Sequence, residues 1–272
     1  MSNLIKRTLT GLLFTATLLI TLIFSQYSMI AMIVIVAVLC LLEFYNIGNR
    51  LELNPQYMFG ILISVIMLMM TFLFAKSILP YECIIILIPI FFFAFIIQLY
   101  IKHKKPLESI AITYFPILYI ILPLMLIILL GFITGEYNYR LIIGILILIW
   151  TSDTFAYLVG VAIGRHPLFP RISPKKSWEG FIGGLVFCCV VSQILAHYWQ
   201  ILSYWEWGIL AFIVAITGVF GDLFESLLKR EAAVKDSGTI LPGHGGVLDR
   251  FDSLFIVMPF AYAFIYFVYF TK

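Results

Sequence analysis

Charged residues are scarce in this sequence. Asp, Glu, Lys and Arg make up 11% of the 272 residues and hydrophobic residues make up 63%, whereas an ordinary soluble domain has about 25% charged residues. The mean hydropathy is +1.09. A water-soluble fold of this length has too little interior to bury so much apolar surface. The composition therefore excludes a soluble protein and indicates a chain that crosses a membrane many times.

Polar residues also interrupt the long apolar segments only rarely. The apolar segments are 8–24, 28–46, 56–75, 81–101, 108–133, 139–164, 177–199, 206–229 and 252–271. At 1.5 Å per residue, each can cross a hydrocarbon core of about 30 Å as a helix, tilted where needed. The segments lack the alternation of polar and apolar residues that barrel strands show. We predict an all-α fold, a polytopic integral membrane protein with about nine transmembrane helices.

Lys and Arg are almost absent from one side of this predicted topology. With the N-terminus in the cytoplasm and nine spans, fourteen of the seventeen basic residues lie on the cytoplasmic side, and the other three are Lys76, Arg140 and Lys272. Pro116 and Pro123 suggest that segment 108–133 breaks into a re-entrant pair, but two spans there would abolish this positive-inside bias. We therefore expect segment 108–133 to form one span. We also expect the first span to remain uncleaved and the protein to be a multi-pass protein of the plasma membrane.

Cysteine is also rare, and its four positions carry no metal-ligand spacing. All four lie inside apolar segments, where we interpret them as small packing residues: Cys40, Cys83, Cys188 and Cys189. We find no internal repeat and no separate soluble domain. We predict one membrane domain, with residues 1–138 as scaffold and 139–272 carrying the catalytic site. The net charge of +3 is small, and topology explains much of the basic charge, so no nucleic-acid partner is expected.

Aspartate is missing from the first half of the chain. All five lie in one stretch, at Asp153, Asp222, Asp236, Asp249 and Asp252. Membrane topology requires Lys and Arg but not Asp, and an acid inside an apolar span is by default a functional-site hypothesis. Asp153 and Asp222 lie roughly 16 Å and 11 Å below the cytoplasmic ends of their spans. Both acids are therefore predicted in the same half of the membrane.

The helix that carries Asp222 has further polar residues at helical spacing. Asp222, Glu225, Ser226 and Lys229 follow the pattern i, i+3, i+4 and i+7, so they share one face. The alternative to a functional role is an Asp–Lys network within the helix that helps the span to insert. Two further acids, at Asp249 and Asp252, and nearby basic loops argue against that alternative.

Two polar loops provide candidate phosphate contacts. Loop 165–180 holds Arg165, Arg171, Lys175 and Lys176 before a helix start, and both ammonium groups and helix N-termini attract anions. The alternative is a topology signal that also contacts lipid head groups. The second loop has Gly243, Gly245 and Gly246, which allow close backbone approach to a ligand. Carboxylates, cations and glycines together suit a Mg²⁺-bound polyphosphate, so the residues indicate a membrane-embedded, metal-dependent enzyme acting on phosphates.

The stretch from Ser226 to Ser253 resembles the signature of phosphatidate cytidylyltransferases, also called CDP-diacylglycerol synthases. The matching residues are Ser226, Lys229, Arg230, Lys235, Asp236, Gly238, Pro242, His244, Gly245, Gly246, Asp249, Arg250 and Asp252. The segments SDTFAYLVG and ISPKKSWEGFIGG are also similar to that family, so the resemblance covers about 150–253. Two departures are Phe155, where a small residue is expected, and Ser177, where Thr is usual.

The resemblance implies that CTP and phosphatidate react to give CDP-diacylglycerol and pyrophosphate. It implies Mg²⁺ on Asp222 and Asp249, with a monovalent cation such as K⁺ as a further candidate. The residues assigned to catalysis are Asp222, Asp249, Lys229, Arg230, Lys235, Asp236, His244 and Arg250. The residues assigned to substrate binding are Ser173, Lys175, Lys176, Ser226, Gly245, Gly246 and Asp153. The expected partners are CTP, phosphatidate and the lipid bilayer, with a homodimer left open.

Other membrane functions remain as alternatives at this point. A CTP-dependent polyprenol or phytol kinase should lack the complete PGHGGVLDRFD run that occurs here. A transporter with buried acids should show repeat symmetry and broken helices at the membrane midplane, whereas these polar residues crowd one half of the membrane. A CDP-alcohol phosphotransferase requires an Asp-Gly pair, and the sequence has none.

Overall fold

The computed structural model describes residues 3–101, 105–238, 240 and 245–271. Its helices are α1 Asn3–Phe24, α2 Gln26–Arg50, α3 Tyr57–Ala75, α4 Leu87–Tyr100, α5 Pro106–Pro116, α6 Leu122–Gly131, α7 Arg140–Ile163, α8 Trp178–Trp199, α9 Tyr204–Glu231 and α10 Leu248–Phe270. A 3₁₀-helix, Tyr81–Ile86, precedes α4, and a π-helix, Ile117–Ile121, joins α5 to α6. Two short strands, β1 Pro167–Phe169 and β2 Ser173–Ser177, lie between α7 and α8.

Most of these helices are long enough to cross a membrane. Among the described residues, eight helical runs have the required length and apolar composition, and a shorter apolar stretch, Thr10–Phe24, belongs to α1. The prediction of an all-α, polytopic membrane protein is confirmed. The boundaries differ from the apolar segments by a few residues, because helices continue past the apolar stretch into their polar caps. One such cap is Ser25, which forms a capping box with Ser28 at the start of α2.

The proline-containing segment forms one helical run, Pro106–Gly131. Proline lacks an N–H group and its ring collides with the carbonyl of the fourth residue before it. The π-helix at Ile117–Ile121 lies between Pro116 and Pro123 and widens the turn that Pro123 would otherwise disrupt. The prolines therefore change the local helix type without reversing the chain.

The chain divides into two compact units. Unit 1 contains Met1–Phe132 and Ala232–Arg250, and unit 2 contains Ile133–Glu231 and Phe251–Lys272. Residues 232–250 belong to the half of the chain that the sequence assigned to catalysis, but they pack with the N-terminal helices. The sequence-based division at residue 138 stays a prediction about function.

Close helix packing brings the polar residues of unit 2 together. A Cβ at Gly180 of α8 would lie 2.5 Å from the carbonyl oxygen of Ala156 in α7, so the two helices touch backbone to backbone, as small residues allow within membranes. Helices α9 and α10 approach each other in the same way, because a Cβ at Gly221 would lie 2.6 Å from the carbonyl oxygen of Asp252. Phe155 and Phe187 stack between α7 and α8, with ring centroids 3.8 Å apart.

The basic loop of unit 2 is a β-hairpin, which the sequence reading did not predict. β1 pairs antiparallel with β2, and its base is held by Glu179, whose Oε2 accepts hydrogen bonds from the backbone N–H groups of Arg165 and His166 at 3.1 and 3.3 Å. Ser177 then caps α8, because its Oγ accepts a hydrogen bond from the Gly180 N–H at 3.2 Å. A serine performs this capping role as a threonine would. The hairpin gives Lys176 a defined position beside the helices.

Candidate active site

Three acidic side chains of unit 2 meet where α9 and α10 touch. Asp222, Glu225 and Asp252 each offer a carboxylate oxygen, and these oxygens lie within 4.8 Å of one another. We call this set the acid cluster. Asp222 and Glu225 share a face of α9 at the spacing i, i+3, and the close approach at Gly221 brings Asp252 to them from α10. Glu225 is buried, and the other two are partly exposed.

Two lysines compensate part of the negative charge of the acid cluster. The Lys176 ammonium lies 2.6 Å from Oδ2 of Asp222, and the Lys229 ammonium lies 2.6 Å from Oε2 of Glu225. The second pair is deeply buried, with the Glu225 side chain only 1% exposed. A charge inside a low-dielectric region is costly unless it is paired. The Ser226 hydroxyl also donates a hydrogen bond to Oδ1 of Asp222, at 3.3 Å.

Asp153 of α7 belongs to the same electrostatic network. It interacts with Lys176 and Asp222, and Asp252 interacts with Asp222, Asp153 and Lys229. The network therefore joins residues from α7, β2, α9 and α10. We predict that Asp153 orients Lys176 toward a phosphate group of the substrate.

The acid cluster fits the chemistry of a bound Mg²⁺ ion. Mg²⁺ prefers hard oxygen ligands and takes one or two carboxylates together with substrate phosphate oxygens and water. Asp222 and Asp252 offer such oxygens while remaining partly exposed, so an incoming phosphate has access to them. A cation there would also relieve the repulsion among several neighbouring carboxylates. The donor set therefore suits Mg²⁺, and Mg²⁺ binding itself stays a prediction.

Asp249 lies in unit 1, at the first turn of α10. Its Oδ2 accepts hydrogen bonds from the Gly246 N–H at 2.8 Å, the Ser237 N–H at 3.1 Å and the Ser237 hydroxyl at 3.0 Å. Gly245 has φ of +82°, in the left-handed region that glycine adopts without strain, and a Cβ there would lie 2.7 Å from Asp249 Oδ2. The loop therefore folds around the Asp249 carboxylate. That Asp222 and Asp249 hold one metal together stays a prediction.

Glu43 of α2 contacts this loop and was not among the residues predicted from the sequence. It belongs to unit 1 and is 2% exposed. Its Oε1 accepts a hydrogen bond from the Val247 N–H at 3.0 Å, and its Oε2 accepts one from the Leu248 N–H at 2.8 Å. A signal was available, because an acid inside an apolar span indicates function. Glu43 lies in the apolar segment 28–46 and carries that signal, as Asp153 and Asp222 do.

The other predicted site residues have less constrained positions. Lys175, Arg230, Lys235, Asp236 and Arg250 are exposed, whereas Ser173 is partly buried at the start of β2. His244 lies outside the described residues. Two members of the acid cluster, Glu225 and Asp252, were not among the residues assigned to the site. Both had signals, since Glu225 shares the helix face of Asp222 and Asp252 belongs to the resemblance signature.

Comparison with known proteins gives a match over almost the whole chain. The model of the family described as "Cytidylyltransferase family" matches residues 5–268. The chain is 45% identical over 128 residues to a phosphatidate cytidylyltransferase of Bacillus subtilis, covering 47% of this chain and 48% of that protein. It is 44% identical over 133 residues to one of Haemophilus influenzae, covering 47% of this chain and 46% of that protein. These alignments span about half the length of the curated relatives.

Proposed function

Because the chain belongs to the cytidylyltransferase family, we propose that it is a membrane enzyme that transfers the cytidylyl group of CTP to phosphatidate. The products are CDP-diacylglycerol, a precursor for phospholipid synthesis, and pyrophosphate. The relatives named phosphatidate cytidylyltransferase support this choice of substrates. The observation that carries the proposal is the acid cluster with its two paired lysines, set among membrane-spanning helices.

The reaction exchanges one phosphoanhydride bond for another. A phosphate oxygen of phosphatidate attacks the α-phosphorus of CTP, the bond between the α- and β-phosphates breaks, and pyrophosphate leaves with the electron pair. The phosphatidate phosphate is already anionic near neutral pH, so no strong general base is needed. Positioning and charge stabilisation then supply most of the catalysis. We therefore expect His244 to contact phosphate and not to act as an essential base.

Asp222, with Asp252 and Glu225 beside it, and Asp249 are the residues that we propose to hold Mg²⁺. When bound, the ion would neutralise charge on the triphosphate and polarise its phosphorus–oxygen bonds. Lys176 and Lys229 form ion pairs with Asp222 and Glu225, so their ammonium groups are already held in place to bind a phosphate. Exposed Lys175, Arg230, Lys235 and Arg250 would draw the nucleotide from the cytosol. A nearby monovalent cation and a homodimer also stay predictions.

The position of the acids within spanning helices suits a lipid substrate. The acyl chains of phosphatidate can remain in the bilayer while its phosphate reaches the acid cluster. CTP is soluble in water, so the polar loops should face the cytoplasm, in agreement with the distribution of Lys and Arg.

The decisive experiment uses purified protein, phosphatidate in mixed micelles and CTP labelled at either the α- or the γ-phosphate. Cytidylyl transfer moves the α-label into lipid, releases one pyrophosphate per CDP-diacylglycerol and requires added Mg²⁺. A CTP-dependent lipid kinase would instead move the γ-label into a polyprenol or phytol acceptor. Transfer of the γ-label, or no lipid product from phosphatidate with Mg²⁺ present, would contradict the proposal.

The hairpin offers a matched pair of lysines. Lys176→Ala removes the ammonium paired with Asp222, whereas Lys175→Ala removes an exposed neighbour. We expect Lys176→Ala to lower kcat/KM for CTP roughly tenfold to a hundredfold, and Lys175→Ala to lower it less than about threefold, since exposed charges are well screened. Steady-state kinetics at two salt concentrations measures both. Equal losses of kcat/KM in the two variants would indicate that the loop acts only as a general basic surface.

The orientation of the chain is testable independently of activity. We expect positions 165–176 and 235–247 to lie in the cytoplasm, because only that orientation puts most Lys and Arg inside. Single cysteines introduced at exposed Lys175 and Lys235, in a chain with its four native cysteines replaced, should react with an impermeant maleimide only after cells are opened. A cysteine at exposed Glu136 provides the control, and it should react in intact cells.

A further inference from the structure

We propose that Glu43 is a positioning residue for the reaction: its carboxylate holds the first turn of α10 and thereby fixes Asp249. This inference rests on the proposed function, because it assigns Glu43 a role in that reaction. Glu43 lies on α2, about two hundred residues earlier in the chain than the turn it contacts. Both segments belong to unit 1.

The contacts of Glu43 are those of a helix cap supplied by another helix. The first N–H groups of a helix have no partner within the helix. Here the Val247 N–H donates to Oε1 at 3.0 Å and the Leu248 N–H donates to Oε2 at 2.8 Å. Val247 and Leu248 are 2% and 0% exposed, so water does not provide the same hydrogen bonds. The negative carboxylate also complements the positive end of the helix dipole.

Ser237 connects this cap to Asp249. Its hydroxyl lies 3.2 Å from Oε2 of Glu43 and 3.0 Å from Oδ2 of Asp249, and its backbone N–H also donates to Asp249, at 3.1 Å. Glu43 therefore restrains Asp249 by two routes, the helix turn that carries it and the serine that hydrogen bonds to it. A carboxylate that must meet substrate or metal with sub-ångström accuracy benefits from such support.

The surrounding loop packs closely around the Glu43 carboxylate. A Cβ at Gly246 would lie 2.5 Å from Oε2 of Glu43, and a Cβ at Gly238 would collide with Oε1. Both glycines belong to the stretch that resembles the family signature. Close packing against Glu43 of α2, and at Gly246 also against the Ser237 hydroxyl, therefore explains why neither position carries a side chain.

The test compares two substitutions that separate hydrogen bonding from packing. Glu43→Met keeps a similar side-chain length but removes both acceptors, whereas Glu43→Gln is nearly isosteric and keeps one carbonyl oxygen. Glu52→Gln is the matched control, because Glu52 is exposed in the turn after α2. We expect kcat to fall at least about tenfold in Glu43→Met and only about threefold in Glu43→Gln, with KM for phosphatidate changed less than about threefold. The control should keep wild-type kinetics.

Hydrogen exchange provides a readout that does not depend on activity. The amides of Val247 and Leu248 donate to Glu43, so a peptide covering 245–250 should exchange at least about tenfold faster in Glu43→Met than in wild type. Glu43→Gln should be intermediate, and Glu52→Gln should match wild type. Elution as a single species in detergent checks that each variant is folded. If Glu43→Met is not folded, kcat and the exchange of 245–250 in Glu43→Gln test the proposal instead.

Three results would overturn the proposal. The first is unchanged hydrogen exchange of 245–250 in Glu43→Met, and the second is unchanged kcat in that variant. The third is a kcat in Glu43→Met that equals or exceeds the kcat of Glu43→Gln, which is the result expected if position 43 only fills an apolar site. Failure of the proposed function looks different. In that case wild-type protein makes no CDP-diacylglycerol, while exchange at 245–250 still responds to Glu43.

Discussion

Asp222→Asn should lower kcat at saturating CTP and phosphatidate by at least about a hundredfold, because a loss of a few kcal/mol of transition-state stabilisation has that effect. The substitution keeps the size of the side chain but removes a charged oxygen from the acid cluster. It also removes the ion pair with Lys176, at 2.6 Å. Turnover measured across a Mg²⁺ titration should stay low even at high Mg²⁺.

The chain offers two comparisons for this result. Glu231→Gln changes an exposed acid at the end of the same helix and should keep wild-type kcat. Asp153→Asn changes a member of the same network on α7 and should cost less than Asp222→Asn, because Asp153 is expected to orient Lys176 and not to bind the ion. Near-normal turnover of Asp222→Asn at ordinary Mg²⁺ would exclude Asp222 as a metal ligand.

Asp249→Asn should cause a loss of similar size, and Asp249→Glu should not restore activity. The Asp249 carboxylate accepts hydrogen bonds from Gly246 and Ser237, and an amide in its place presents N–H groups to some of those donors. The longer Glu side chain cannot keep the same oxygen position, and Mg²⁺ demands near-ideal octahedral geometry. Both variants are measured by CDP-diacylglycerol formation over a range of Mg²⁺ concentrations.

Ser237→Ala helps to interpret the Asp249 result. It removes the hydroxyl that donates to Asp249 but keeps the backbone N–H that also donates. We expect a much smaller loss of kcat than in Asp249→Asn, since one of several hydrogen bonds is removed. If Ser237→Ala and Asp249→Asn were equally inactive, the Asp249 effect would come from disruption of the loop, and its role as a metal ligand would lose support.

Composition and local spacing were enough to predict the fold class and one face of the site. The scarcity of charge and the long apolar segments were sufficient to predict a polytopic helical protein, because the bilayer requires backbone hydrogen bonds to be satisfied within each segment. The 3.6-residue period was sufficient to put Glu225, Ser226 and Lys229 on the face of Asp222. The signature stretch pointed to the family that the match over residues 5–268 then showed.

Contacts between residues far apart in the sequence depend on how the helices pack. The acid cluster exists because Gly221 lets α9 approach the α10 backbone at Asp252, and Lys176 reaches Asp222 because loop 165–180 forms a hairpin. Glu43 reaches Val247 and Leu248 from another helix. Helical periodicity relates residues within about two turns of each other, whereas helix–helix packing depends on side-chain shape over the whole contact. For this reason the sequence identified Asp222 and Asp249 as site residues, whereas the contacts of Asp252, Lys176 and Glu43 became known only from the fold.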